Sequence, residues 1–333
     1  MARVERRTAV TVAVLAVLVA AGVCAEVVIG DYTSSVGESL TALVGLGDDP
    51  VATLFVQRLR LPRALVAVVV GAALGVSGAI FQAVSGNPLG SPDVIGFTTG
   101  AATGALVGII VVGGTPGQIV AGALLGGAAT AAAVYVLARR GGRVPGGRLV
   151  LVGVGIGAVL SAVNALLVVR ASLDTAQTAA NWLAGSLNAT TWERLLLPGL
   201  AVAVLLPAAL LHSRRLALLT MGDDVAAGMG VPPDRLRRRL VVLGVALVCV
   251  ATAATGPIAF VALMAPQLAR RLARSPGVGM TAAAAMGAAL VLAADLTAQR
   301  LFAPTQLPVG VVTGAVGGIY LVLLLSRAWR RAR

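Results

Sequence analysis

Apolar residues fall into ten runs along this chain, separated by charged clusters or by glycine and proline. The runs cover residues 8–29, 64–84, 94–112, 118–138, 149–169, 195–213, 240–256, 257–269, 278–298 and 306–326. Most of them contain the roughly 20 apolar residues that an α-helix needs to cross a bilayer. The pattern predicts an all-α, polytopic membrane protein with about ten transmembrane helices, formed by residues 1–333 as a single transmembrane domain.

The seventh and eighth runs form one apolar stretch that is interrupted at Gly256 and Pro257. At about 1.5 Å per residue the eighth run is too short to cross a hydrocarbon core of about 30 Å. Irregular backbone at membrane depth persists only where protein or a cavity surrounds it. We therefore expect Gly256 and Pro257 to lie inside the protein.

Composition supports the membrane class and excludes several kinds of site. Charged residues make up 12% of the chain, whereas a soluble domain has about 25%. All 26 basic residues are arginine, and the phosphate-binding P-loop needs a lysine, so any ATP dependence must come from another subunit. Cys24 and Cys249 have no neighbouring His or Cys, and His212 is the sole histidine. We therefore expect no metal site, no cofactor and no catalytic residue.

The distribution of arginines orients the helices. With the N-terminus inside and ten alternating spans, 20 of the 26 arginines fall in inner segments, as the positive-inside rule requires. Both termini are then cytoplasmic, and the net charge of +13 needs no nucleic-acid partner. The outer segments keep six arginines: Arg58, Arg60, Arg63, Arg170, Arg194 and Arg300.

Three of these outer arginines lie in the sequence RLRLPR, residues 58–63, directly before the second run. Pro62 is compatible with the first turn of a helix. Arg60 and Arg63, three residues apart, then share one helix face, while Arg58 points elsewhere. From the residues alone, the simplest interpretation is that these side chains, near the end of a helix, reach out to lipid headgroups.

Carboxylates near the ends of apolar runs are a second candidate feature. Asp93 and Asp295 are the two carboxylates that we select, because each lies near the boundary of an otherwise apolar run. An ionisable residue within the membrane is a functional candidate, and capping of a helix at the interface is the alternative. If either residue carried protons or sodium ions, the chain would be a coupled secondary carrier.

Several motifs, in one order along the chain, resemble the permease family of iron-siderophore and vitamin B12 ATP-driven importers. The resemblance covers roughly residues 51 to 326. The motifs are Arg60-Leu-Pro-Arg63, Asn87-Pro-Leu-Gly-Ser-Pro-Asp93, Trp182-Leu-Ala-Gly185, Gly222-Asp-Asp-Val-Ala-Ala-Gly-Met-Gly230, Gly256-Pro-Ile-Ala-Phe-Val-Ala-Leu-Met-Ala-Pro-Gln267, Ala294-Asp295 and Leu307-Pro-Val-Gly310.

The resemblance implies the type II ABC importer permease fold, with ten membrane helices per subunit. A second permease subunit, identical or related, would face this one around the translocation path. Two separate ATPase subunits would dock beneath, and an extracytoplasmic substrate-binding protein would deliver the cargo. The protein would be a multi-pass component of the cytoplasmic membrane and would perform no covalent chemistry.

The resemblance also implies roles for individual residues. Arg60 and Arg63 would dock the binding protein. The family has a third external arginine at the position that Gln299 occupies here, and Arg300, one residue later, would take over its role. ATPase coupling falls to a loop at about residues 214–239, with Gly222, Asp223, Asp224, Ala227 and Gly230. The alternative for that segment is an ordinary loop helix whose acidic residues suit its N-terminus. The translocation path or gate would include Gln82, Asn87, Pro88, Gly256, Pro257 and Pro266.

Two further positions depart from the family pattern. Gln267 stands where the family often has His, and Gln306 where it often has Glu. The leading hypothesis is a permease subunit that imports a ferric siderophore. The alternatives are the same machinery with cobalamin or haem as cargo, and a proton- or sodium-coupled carrier that uses Asp295 or Asp93.

Overall fold

The computed structural model describes residues 2–30, 35–47, 49–139, 145–188, 190–274, 277 and 279–332. All regular secondary structure within these ranges is helical. The α-helices are α1 (Ala2–Val28), α2 (Val36–Val44), α3 (Pro50–Phe55), α4 (Leu61–Ser85), α5 (Phe97–Leu106), α6 (Pro116–Ala138), α7 (Gly146–Arg170), α8 (Leu173–Leu183), α9 (Trp192–Leu210), α10 (Ser213–Leu219), α11 (Asp223–Gly228), α12 (Pro233–Thr255), α13 (Val261–Ala273), α14 (Met280–Arg300) and α15 (Val309–Ala332).

Each of the ten predicted runs corresponds to one helix, namely α1, α4, α5, α6, α7, α9, α12, α13, α14 and α15. Within the described residues, seven helical segments are long and apolar enough to cross a membrane, and 97–112 and 309–324 are shorter apolar helices. Helix α13 has 13 residues, which confirms the short eighth run. The predicted all-α membrane fold is confirmed.

Two π-helical turns continue α-helices, and the first of them extends a helix well before the start of its predicted run at residue 64. The turn Val56–Arg60 joins α3 to α4, so that one apolar helix extends from Pro50 to Ser85 over 36 residues. The turn Val107–Val112 continues α5. Such turns insert an extra residue into the helical ladder. The first of them therefore shifts the directions of the Arg58 and Arg60 side chains from those that a regular α-helix would give.

Helix α4 forms the centre of the bundle and is buried along most of its length. It packs on α14 through Gly71 and Gly75, where an added Cβ would meet the backbone of Gly287 and Ala283. Small residues of this kind let membrane helices approach closely. The hydroxyl of Ser77 donates to the Gly244 carbonyl of α12 at 2.8 Å, so a polar contact joins the same central helix to its other neighbour.

The predicted interruption at Gly256 is confirmed, and protein surrounds it. Gly256 adopts φ +74° and ends α12, and Phe260 at φ +66° precedes α13. The segment after α8 packs against this break: the amide of Ser186 donates to the Thr255 carbonyl at 2.8 Å. The amide of Gly310, at the start of α15, donates to the Gly185 carbonyl at 3.0 Å. Three motif segments that are distant in sequence thus meet in one place.

Candidate functional site

An ion pair joins α4 to α14 at the end of the bundle where α4 begins. Arg63 Nε donates to Asp295 Oδ2 at 2.7 Å and Arg63 Nη2 donates to Asp295 Oδ1 at 2.9 Å. The Asp295 side chain is fully buried and the Arg63 side chain is 13% exposed. Arg63 Nη1 also donates to Gln306 Oε1 at 3.0 Å. The planar guanidinium therefore fixes α4, α14 and the segment before α15 relative to each other.

Gln299 connects a second carboxylate to this pair. Its side-chain amide donates to Glu26 Oε2 at 2.7 Å and to Asp295 Oδ2 at 3.2 Å. Glu26 lies in α1 and is buried, and its Oε1 has no hydrogen-bond partner among the described residues. The position that carries an arginine in the resembling family thus holds a neutral amide that links α1 to α14.

Two further arginines bind the end of α1 and the chain directly after it. Arg60 is 8% exposed, and its Nη1 donates to the carbonyls of Val27 at 2.9 Å and Val28 at 3.3 Å. These carbonyls belong to the last turn of α1, where a cation is favourable. Arg300 is exposed, and its Nη2 donates to the Gly30 carbonyl at 2.7 Å. Arg300 is thus the most accessible of the three predicted docking arginines.

A cavity of about 270 Å³ opens at this cluster. Arg60 and Arg63 both line it, as their shared helix face predicts, and Arg58 lies on the exposed surface instead. The remaining polar lining comes from Glu26, Thr190, Gln299 and Gln306. The polar lining of the cavity therefore consists of one acidic, two basic and three neutral side chains.

The opposite end of α4 carries a second polar network. Gln82 is buried; its Nε2 donates to the Leu263 carbonyl at 2.9 Å and its Oε1 accepts from Arg270 Nη2 at 2.6 Å. Gln267 Nε2 donates to the Pro88 carbonyl at 2.6 Å. These bonds attach α13 both to the end of α4 and to the turn that follows it.

The same network extends to α15. The hydroxyl of Tyr320 donates to Gln267 Oε1 at 3.2 Å, and the Arg271 guanidinium lies 5.6 Å from the Tyr320 ring centroid.

Asn87 is exposed, and its Oδ1 accepts a hydrogen bond from the Leu89 amide at 2.9 Å, which closes a tight turn. Pro266 lies inside α13, and its carbonyl accepts from Arg270 Nε at 3.3 Å. Of the six predicted path or gate residues, Gln82, Asn87, Pro88 and Pro266 meet here, while Gly256 and Pro257 lie at the break.

The acidic motif in the loop between α9 and α12 forms a helix of its own. Gly222 at φ +118° precedes α11, which begins with Asp223 and Asp224. Asp223 accepts from Arg237 of α12, with Nη2–Oδ1 at 2.9 Å and Nη1–Oδ2 at 3.4 Å. Ala227 lies in the last turn of α11 and Gly230 at φ +76° follows it. The short helix is therefore attached directly to a long membrane helix.

The family follows from the sequence together with this fold. The model of the FecCD transport family matches residues 17–327. The chain belongs to the FecCD transport family. It is 48% identical to the ferric enterobactin transport system permease protein FepG of Escherichia coli strain K12, over 91% of each chain. It is 39% identical to the achromobactin transport system permease protein CbrC of Dickeya dadantii strain 3937, over 93% of this chain and 89% of the relative.

Structural comparison agrees. A structure described as an inward-facing conformation of a metal-chelate type ABC transporter superposes with a TM-score of 0.84 at 28% identity, over 95% of this chain and 98% of the other. This FecCD-family chain is therefore a membrane permease of an ABC importer, and not an enzyme. Such a permease works with a separate ATPase and a substrate-binding protein.

Sequence reasoning missed one residue of the cluster around Arg63 in this FecCD-family chain. Glu26 lies within the first apolar run, although only Asp93 and Asp295 were expected to be carboxylates near span boundaries. A glutamate inside an apolar run is itself the signal that could have identified it. Asp93 accepts from the Thr98 hydroxyl at 2.6 Å in the segment before α5. Burial raises the pKa of the Asp93 carboxyl, and the bond from Thr98 opposes that shift.

Proposed function

We propose that this permease imports a ferric siderophore. The observation that carries the proposal is its 48% identity, over 91% of both chains, to a ferric enterobactin permease. The achromobactin permease, at 39% identity, supports an iron chelate rather than a bare ion. A translocation path lined with small and apolar residues would also suit a bulky chelate better than a bare ion.

The assembly that we propose contains two permease subunits, identical or related, and two ATPase subunits. An extracytoplasmic binding protein delivers the cargo. Residues 1–333 act as one transmembrane domain with both termini in the cytoplasm, and the segment at about 214–239 is the coupling loop. The arginine distribution supports this orientation, because basic residues gather on the cytoplasmic side of membrane proteins.

The cluster around Arg63 is our candidate docking site for the binding protein, and we call it the external cluster because it faces outward in the proposed orientation. It comprises Glu26, Arg60, Arg63, Asp295, Gln299, Arg300 and Gln306. Arg60, Arg63 and Arg300 lie around one cavity or beside it, and acidic side chains of a partner would complement them. Charge complementarity of this kind raises the association rate and fixes the orientation of the partner. Because the side chains of Arg60 and Arg63 are mostly buried whereas Arg300 is exposed, we assign the first encounter to Arg300.

Helix α11 is our candidate coupling element. Gly222, Asp223, Asp224, Ala227 and Gly230 would fit against the ATPase, and closure of the ATPase would move α11. The Asp223–Arg237 ion pair supports this role, because it links α11 to α12. Since α12 extends from Pro233 to Thr255, a displacement at α11 would reach the break at Gly256.

The network at the far end of α4 is our candidate for the inner gate. Gln82, Asn87, Pro88 and Pro266 belong to segments that hydrogen bonds join there, and opening the path would require some of these bonds to break. Gly256 and Pro257 would provide the hinge above it. Gln267→Leu should therefore change the transport rate while leaving binding-protein affinity unchanged. Equal transport by this variant and wild type would contradict the assignment.

Uptake in cells tests the proposed function. Cells with and without this gene would be supplied with radiolabelled ferric enterobactin, other ferric siderophores, cobalamin or haem, before and after ATP depletion. We expect gene-dependent accumulation of iron that stops when ATP is depleted. Uptake of cobalamin or haem alone would leave the assignment as an importer unchanged and would change the proposed cargo.

The remaining alternative is a proton- or sodium-coupled carrier, and the same assay distinguishes it. A carrier would lose uptake on addition of an uncoupler and would keep it when ATP is depleted. Asp93→Asn adds a second criterion, because Asp93 is one of the two carboxylates proposed to carry the ion and the Thr98 hydroxyl, not an arginine, donates to it. We expect this variant to retain ATP-dependent uptake, since an ABC permease does not need a titrating carboxylate in its path.

A further inference from the structure

A second cavity, of about 440 Å³, lies at the N-terminal end of α1. Arg6, Arg7 and Arg274 line it, together with Val10, Thr11 and Leu272. No carboxylate contributes to its lining, and among the described residues none of the three arginines forms an ion pair. Among the described side chains, the site therefore concentrates three positive charges without a paired carboxylate.

An apolar surface continues from this cavity along α1. Val10, Val14, Val17 and Leu18 are all exposed in the described structure. At about 100° per residue these four side chains, with Arg6 and Arg7, occupy about a third of the helix circumference. The arginines thus stand at the end of a stripe that faces outward along a membrane-spanning helix.

We propose that this surface binds an anionic phospholipid of the surrounding leaflet. The headgroup phosphate would lie among Arg6, Arg7 and Arg274, and an acyl chain would lie along the exposed stripe of α1. Arginine pairs well with phosphate through its planar guanidinium. A free phosphate ion would use the cavity and leave the stripe uncovered, so the combination of the two features favours a lipid.

The backbone at Arg274 supports a specific role for that side chain. Arg274 ends α13 at φ +47°, a conformation that glycine adopts at lower cost. The positive φ turns the chain directly after α13, and the Arg274 side chain lies beside Arg6 and Arg7 in the cavity lining. Helix α1 thus supplies the apolar stripe and two of the charges, and Arg274, directly after α13, supplies the third charge.

Lipid titration of the purified full-length chain in non-ionic detergent tests the proposal. Native mass spectrometry would compare phosphatidylglycerol with phosphatidylcholine of the same acyl chains. A basic residue beside an anionic headgroup contributes about fivefold in affinity. We therefore expect phosphatidylglycerol to bind at least about tenfold more tightly, and Arg6→Gln/Arg7→Gln/Arg274→Gln to lose that preference. Inorganic phosphate and glycerol phosphate, as competitors, would leave phosphatidylglycerol bound.

A matched variant removes the same charge elsewhere. Arg139, Arg214 and Arg215 are exposed arginines outside the cavity, and their triple change to glutamine should keep the preference. An equal loss in both variants, or no loss in the first, would overturn the proposal. Displacement by free phosphate would reassign the cavity to a soluble anion, and a partner chain that excludes the lipid would reassign the surface to protein contact.

Arg274→Gly keeps the test decisive if the triple variant fails to fold. Glycine fits the positive φ, so we expect folding to be retained or improved. Affinity for phosphatidylglycerol should fall about fivefold. Unchanged affinity in a well-folded Arg274→Gly protein would contradict the assigned contact.

Discussion

Arg63 and Asp295, 232 residues apart in sequence, form a bidentate ion pair between α4 and α14, and Gln306 accepts a third hydrogen bond from the same guanidinium. The aspartate is fully buried, so water cannot replace the arginine if it is removed. Removing one partner of a buried pair costs about 3–5 kcal/mol, because the other charge is left without compensation. The pair is thus expected to hold the external cluster together.

Arg63→Ala should lower the free energy of unfolding by about 3–5 kcal/mol for this reason. Unfolding of the purified protein in detergent measures the change. Arg58→Ala, an exposed arginine five residues earlier, is the matched control and should change stability by less than about 1 kcal/mol. Equal effects of the two changes would show that the ion pair contributes no more than a surface charge.

Arg300→Glu should slow association of the binding protein with the assembled importer. The exposed charge acts mainly on the rate of encounter, so we also expect the association rate to depend less on salt concentration. Surface plasmon resonance at several ionic strengths measures both effects. Arg170→Glu, at the C-terminal end of α7, is the control. An equal slowing by that change would indicate a general effect of surface charge rather than a docking contact.

Asp223→Asn should lower transport several-fold while the assembled ATPase still hydrolyses ATP. The Asp223 side chain is 47% exposed, and a partly exposed pair of this kind contributes only about 0–1 kcal/mol to stability. A loss of transport would therefore report coupling and not unfolding. Asp234→Asn is the control, because Asp234 Oδ1 lies 3.9 Å from the same arginine. Normal transport by Asp223→Asn would contradict the role of α11.

Gly185→Ala should destabilise the protein by more than about 1 kcal/mol. Gly185 has φ +66°, and an added Cβ would meet the Pro257 carbonyl, so backbone strain and steric overlap act together. Gly155→Ala in α7 meets no atom within 4 Å and should be neutral or stabilising, since alanine is the better helix former. Thermal unfolding of both variants measures the difference, and similar melting temperatures would contradict this packing.

The membrane helices were predictable because each requires an apolar run of a length that the bilayer fixes. The interruption at Gly256 was predictable for a similar reason, since glycine followed by proline ends a helix. Helices α2 and α8 were not predicted. Helix α2 has only 9 residues, and its capping residues Ser35 and Glu38 stabilise it. Helix α8 is 11 residues long, and its five polar residues interrupt the apolar ones, so a search for apolar runs finds neither helix.

The candidate sites were predictable in part. Periodicity placed Arg60 and Arg63 on one face, and both line one cavity. Periodicity could not show that Asp295 and Gln306 lie within reach of Arg63, because a contact across more than 230 residues depends on how helices pack. Gln299 was noted as a departure from the family pattern, and its bonds to Glu26 and Asp295 became visible only in three dimensions.

The most direct test of the account is uptake of radiolabelled ferric enterobactin into proteoliposomes. These would contain the permease assembled with its ATPase, ATP inside and the loaded binding protein outside. We predict accumulation that requires ATP, the binding protein and this chain, and that persists when an uncoupler is added. Accumulation that continues without ATP, or that an uncoupler abolishes, would contradict the claim that this chain is the permease of an ATP-driven importer.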